Sequence, residues 1–238
     1  MIIRVRQLVR GYEPEYRVEN DVTGAIIGKA RTKHEPIETL CLMQVRGTMF
    51  NLRFVNPQVS NGTYAGEEPT VIMEGQEPVG EISSHVHVEK HQFFGSKAKN
   101  YKYYDIVYEG INLKAYKYNL GENGLSFAIY NKDTNEQIAA IEESDNNRHQ
   151  RAEYVCYIKD KDYVFLAALF SVYVDFEANP NVQVLEATSE EGQGVTRNTK
   201  LLDMYGSAFG DYIREVKDMP EEPDSILPLL GEGNTTRY

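Results

Sequence analysis

His85-Val86-His87, with His91 four residues on, is the part of this sequence best suited to metal chemistry. Successive side chains on a β-strand point to opposite faces, so His85 and His87 share one face and could ligate a metal together. His91 joins them only where the strand bends. Glu81 and Glu89 fall on the same face by parity and would add carboxylate oxygen. The competing reading is a solvent-facing strand that displays polar rings.

A second constellation is basic. Lys90, Lys97, Lys99, Lys102, Lys114 and Lys117 are crowded between tyrosine-rich strands of an otherwise acidic chain. Lys97, Lys99 and Lys102 are the candidate ligands for a phosphate or lipid headgroup, since each lysine near an anionic surface contributes about 1 kcal/mol. The same lysines could instead serve to blunt sheet edges.

The remaining polar groups point to structure. Ser171 stands among apolar residues of a helical stretch and is expected to bond its own backbone. Asp175 lies late in that stretch, where the helix dipole disfavours a carboxylate, and is expected to lock the helix to strand backbone. Glu142-Glu143, Glu190-Glu191 and Glu221-Glu222 read as solvated charge. The chain has no Gly-x-Ser-x-Gly elbow, phosphate-binding glycine loop or Cys-x-x-Cys pair, so no catalytic residue is assigned and no cofactor is expected.

The elements that must position these groups are mostly strands. Apolar–polar alternation predicts strands at 16–18, 40–43, 49–54, 71–73, 82–88, 104–108, 113–116, 127–130 and 154–158. Turn chemistry separates them, as in Asn61-Gly62, Glu109-Gly110 and Asn123-Gly124. A strand–turn–strand pattern at 16–28 returns at 71–82 and at 127–139, which indicates repeated hairpins in a barrel or meander.

From Tyr163 to Phe176 the chain is almost unbroken apolar sequence. A helix apolar all round must be wrapped by protein or lipid. About 14 residues span roughly 21 Å, short of a ~30 Å hydrocarbon core, so the wrapper is expected to be the strands. Asp160 or Asp162 caps this helix (about 160–178) and Asn179-Pro180 ends it. A strand over 182–185 follows. Leu201, Leu202, Tyr205, Phe209, Tyr212 and Ile213 then fall at helical spacing, predicting a second helix over 199–216. An acidic tail holds the apolar stretch Ile226-Leu227-Pro228-Leu229-Leu230, which either docks elsewhere or packs back on the body.

The formal net charge of −11 argues against a nucleic-acid partner. Cys41 and Cys156, both in apolar segments, are expected to be buried and reduced. The arginine-studded start lacks the continuous apolar region of a secretory signal, and a cytoplasmic location with no transmembrane span is expected.

Many short strands, three hairpin echoes and then one apolar helix resemble the tubby C-terminal-like superfamily, which includes the LURP-one-related proteins and the phospholipid scramblases, and in particular its bacterial members. The residues carrying the resemblance are the hairpin 127–141, the strand Glu153-Tyr154-Val155-Cys156-Tyr157-Ile158 and the helix from Asp160 to Asp175. It implies a mainly β (α+β) fold, a closed barrel of about a dozen strands around a central helix. The domains are then a barrel over 1–185, a connector and helix over 186–218, and an acidic tail over 219–238. The expected function is a non-enzymatic binding or regulatory module for a lipid headgroup or protein partner. The alternatives are a metal-binding protein or metal-dependent enzyme using His85 and His87, and an assembly component that forms homo-oligomers through its C-terminal helix and tail.

Overall fold

The computed structural model describes residues 1–35, 38–55, 69–87, 101–118, 125–144, 151–178 and 199–220. Twelve strands appear in chain order: β1 (Ile2–Val9), β2 (Glu15–Asn20), β3 (Ile26–His34), β4 (Glu38–Val45), β5 (Thr48–Val55) and β6 (Thr70–Glu74). They continue as β7 (Glu77–His87), β8 (Tyr101–Tyr108), β9 (Ile111–Tyr118), β10 (Ser126–Asn131), β11 (Gln137–Glu143) and β12 (Glu153–Ile158). A 3₁₀ turn, Lys161–Tyr163, leads into helix α1 (Val164–Ala178), and α2 (Thr199–Asp218) follows.

Every strand pairs antiparallel with its sequence neighbours, and β1 pairs with β12 to close the barrel. Closure leaves the described strands no free edge, so Lys102, Lys114 and Lys117 have no edge to blunt. β1 is a strand that alternation alone does not announce. The expected strand over 182–185 and the apolar stretch at 226–230 lie outside the described residues.

The three sequence echoes are one structural device used three times. In β2–β3, Val18 pairs with Gly28 and Glu19 with Ile26, so Ile27 bulges. In β6–β7 the bulged residue is Val79, and in β10–β11 it is Ile138. The devices recur every four strands and give the barrel a pseudo-threefold plan. Two of them share a turn: Asn20 Oδ1 accepts from the amides of Val22 and Thr23, both at 3.0 Å, and Asn131 Oδ1 accepts from those of Asp133 and Thr134. The third uses a tight turn at Gly75, φ 62°.

Two-residue turns join β4 to β5 and β8 to β9. Arg46-Gly47 (φ 50° and 85°) and Glu109-Gly110 (φ 46° and 80°) both place two residues at positive φ, matching the twist of the strands they join. All these turns lie at one end of the barrel. The connections 56–68, 88–100, 119–124 and 145–150 and the exit of α1 all leave from the other end.

Helix α1 fills the barrel, as its all-round apolar sequence requires. Phe165 stacks on Phe50 of β5 at 3.8 Å, while Phe170 meets Phe127 of β10 and Tyr104 of β8 edge-on. Side chains from opposite walls therefore touch one helix and share its core. Asp160 caps the entry, its side chain accepting from Asp162 N at 2.9 Å. Among the described residues no helix is long and apolar enough to cross a membrane.

Candidate functional site

Beyond the bulge at Val79, the odd-numbered positions of β7, and those of β8, face outward. His85 lies directly opposite Tyr103, and His87 opposite Tyr101. Each imidazole stacks on its partner, with centroids 5.0 and 4.7 Å apart. Cross-strand ring pairs of this kind stabilise a sheet. His85 Nε2 also lies 3.5 Å from Asp105 Oδ2. The two histidines do share a face, as parity requires, and His91 lies outside the described residues. Among the described residues no group of three His, Cys, Asp or Glu side chains is placed to hold a metal ion.

Parity divides the lysines. Lys114 faces outward, its Nζ 4.6 Å from the Tyr103 ring centroid and 4.0 Å from Asp105, which Lys132 also approaches at 3.2 Å. Lys102 belongs to the inward row with Tyr104, and its Nζ lies 4.9 Å over that ring. The β8–β9 pairing runs as far as Tyr103 and Tyr116, and Lys102 and Lys117 lie just beyond it, at the end of the barrel where the long connections leave. Lys117 in turn pairs with the buried, inward-facing Phe127. Lys102 and Lys117 are both half-buried and both lie at this rim. Lys90, Lys97 and Lys99 lie outside the described residues.

Inside the same end stands a buried carboxylate. Asp175 is 1% exposed and accepts from Tyr16 Oη at 2.6 Å and from Gln7 Nε2 at 3.0 Å. Tyr154 bonds it as well. Burial first, and the Asp175 charge second, raise the phenol pKa values of Tyr16 and Tyr154. Asp175 is therefore tied to strand side chains, where the sequence reading expects strand backbone. One turn earlier, Ser171 Oγ donates to Ala167 O at 2.9 Å and lies 3.3 Å from Cys156 Sγ. Its expected backbone bond is present. Cys41 and Cys156 are free and buried, and burial pushes both thiols up to about 12.

The outer wall of β10–β12 carries a feature that sequence reasoning missed. Across neighbouring strands the register aligns Tyr116, Ala128, Ala140 and Tyr157, two small residues between two large ones. Phe209, Tyr212, Ile213 and Val216 of α2 pack on this row. Phe209 meets Tyr118 at 5.4 Å, Lys217 Nζ lies 5.3 Å over Tyr157, and Lys159 pairs with Glu215. A signal was available: 127–129 and 138–141 are continuous apolar runs, the mark of strands covered on both faces.

Tyr212 sits at the third bulge. In the first device Arg46 N donates to the bulge carbonyl Ile27 O at 2.7 Å, and in the second Glu109 N donates to Val79 O at 2.8 Å. The equivalent pair in the third is Lys159 N and Ile138 O. There the Tyr212 hydroxyl stands between them, accepting from Lys159 N at 3.2 Å and donating to Ile138 O. The chain turns away at Asp160 to enter α1, and α2 supplies the missing link.

Compared with protein-family models, with curated proteins and with solved structures, the chain matches none of them.

Proposed function

We propose that this protein is a binding module of the tubby/scramblase-like type that takes an anionic phosphate group, as on a lipid headgroup, at the barrel rim beside Lys102. The observation that carries the reading is that Lys102 and Lys117, on the adjacent strands β8 and β9, are both half-buried in inward rows at this rim. Ammonium groups brought to one rim supply the positive charge with which an anionic phosphate pairs. Two further facts support it. The interior is filled by α1, which leaves the rim and outer wall for a ligand. The connection 88–100, which contains Lys97 and Lys99, departs from the same rim.

The C-terminal end of α1 lies at this rim too, and its dipole also attracts ammonium groups. Cosedimentation separates the two contributions. Vesicles of phosphatidylcholine alone are compared with vesicles containing a phosphoinositide, with soluble inositol phosphate as competitor. Lys97, Lys99 and Lys102 are together changed to Glu. Binding to anionic vesicles, lost in the variant while its melting temperature holds, supports the reading. Equal binding of both proteins refutes it. Competition by soluble inositol phosphate identifies the phosphate group, rather than the bilayer, as what is recognised.

A second reading, an assembly component that docks through its C-terminal region, is favoured by the apolar face that α2 presents to a wall outside the barrel core. Truncation after Glu186 then changes the oligomeric state, and an unchanged elution volume counts against it.

A further inference from the structure

We propose that the outer face of β10–β12 is a helix-docking site that α2 occupies as a detachable latch, lifting as a unit while the barrel stays closed. The first support is the division of the hydrophobic contacts. Residues of α1 and the inward rows form one buried cluster, and α2 with Tyr118, Ala128, Ala140 and Tyr157 forms another. All twelve strands close on one another without a contribution from α2. Lifting α2 therefore exposes a wall and leaves the core intact.

The second support is the separation of the two helices in sequence. Twenty residues, 179–198, lie between the end of α1 and the start of α2, so no short covalent link holds α2 to the wall.

The third is the composition of α2. Phe209, Tyr212, Ile213 and Val216 are buried, whereas Ser207, Ala208, Asp211, Arg214, Glu215 and Lys217 are exposed. Gly206 and Gly210 lie in the helix interior, where glycine weakens helix formation. The helix thus depends on docking for its order, as a locally unfolding unit does.

What the latch protects is specific. At the first two bulges a backbone bond is closed permanently by the chain. At the third, the Lys159 amide and the Ile138 carbonyl are bridged by one phenol that can leave. Together with the Ala128–Ala140 groove they form a site that reads a tyrosine on an amphipathic helix, one of the recurring modes of helix recognition.

Amide hydrogen exchange on the full chain, followed by NMR, tests this. Wild type is compared with Tyr212→Phe and with Ala140→Leu, which fills the groove. Amides of 207–218 are expected to exchange faster than those of β11 and β12 in wild type, and the Lys159 amide is expected to follow α2. Tyr212→Phe, which removes both hydrogen bonds of the phenol, should speed α2 exchange at least roughly tenfold, while β11 and β12 stay within about twofold. Ala140→Leu should produce the same separation even if water replaces the phenol in the first variant. A common rate for α2 and the strands in wild type, or equal acceleration of both in the variants, overturns the proposal. Either result would show that α2 belongs to the cooperative unit of the barrel.

Discussion

Tyr16 and Asp175 lie 159 positions apart in sequence and meet at 2.6 Å inside the barrel, the phenol donating to the carboxylate. This contact joins the end of the central helix to the wall, with Gln7 and Tyr154 completing the shell. Asp175→Ala leaves buried donors without their acceptor and should cost about 3 kcal/mol. Tyr16→Phe should cost about 1.5 kcal/mol. Urea unfolding of the two single variants and the double variant gives the coupling directly. A coupling near zero would mean that the bond between Tyr16 and Asp175 does not help to hold the helix.

Two glycines mark where neighbouring strands crowd together. A Cβ on Gly80 would stand 2.2 Å from Val107 O, and one on Gly28 would stand 2.4 Å from Gln44 O. Both obstacles are backbone of the next strand and cannot swing aside. Gly80→Ala and Gly28→Ala should each destabilise by about 2 kcal/mol or more. A Cβ on Gly210, in α2, would meet nothing within 4 Å. Gly210→Ala should instead stabilise the helix by about 0.8 kcal/mol. Melting temperatures shifting in opposite directions would bear this out.

Alkaline pH should weaken the fold through its thiols. Burial raises Cys41 and Cys156 from 9.0 to about 12. The folded state therefore keeps protons that the unfolded chain releases. Stability is full below about pH 9 and falls between about pH 9 and 12. Tyr16 and Tyr154, also raised, extend the loss at the high end. Urea midpoints measured from about pH 7 to about pH 11 should stay level and then decline. Cys41→Ala with Cys156→Ala should make the decline shallower, and an unchanged slope would assign it to other groups.

The stacked rings of His87 and Tyr101 give the histidine pair a structural role that is open to test. His87→Ala should cost about 0.5 kcal/mol through the lost cross-strand pair. Zinc titration of both proteins is expected to give the same heat. One equivalent bound by wild type and lost in His87→Ala would favour the metal alternative instead.

Much of the fold was legible in the sequence, because alternation and an unbroken apolar run are local signals set by side-chain burial. They indicate most strands, the helix at about 160–178 with Asp160 or Asp162 as its cap, and the three echoes, which the structure shows as bulged hairpins with Asp160 as the cap. β1 is not among the strands predicted from sequence; its Arg4 and Arg6 lie outward on a closed wall, paired with Asp21, Glu19 and Glu153, while Ile3, Val5 and Gln7 point inward.

Only the tertiary structure decided which groups meet. The register across β8 and β9 sets Lys114 opposite Asp105 on the outer face, while Lys102 falls in the inward row with Tyr104. Closure of the barrel brings Gln7, Tyr16 and Tyr154 around Asp175. The place of Tyr212 could not be read from its own helix. It depends on a carbonyl freed by a bulge at Ile138 and an amide freed where the chain leaves β12, and these come together only when strands far apart in sequence are paired. Sequence periodicity fixes the face on which a side chain lies. Register and closure fix what it touches.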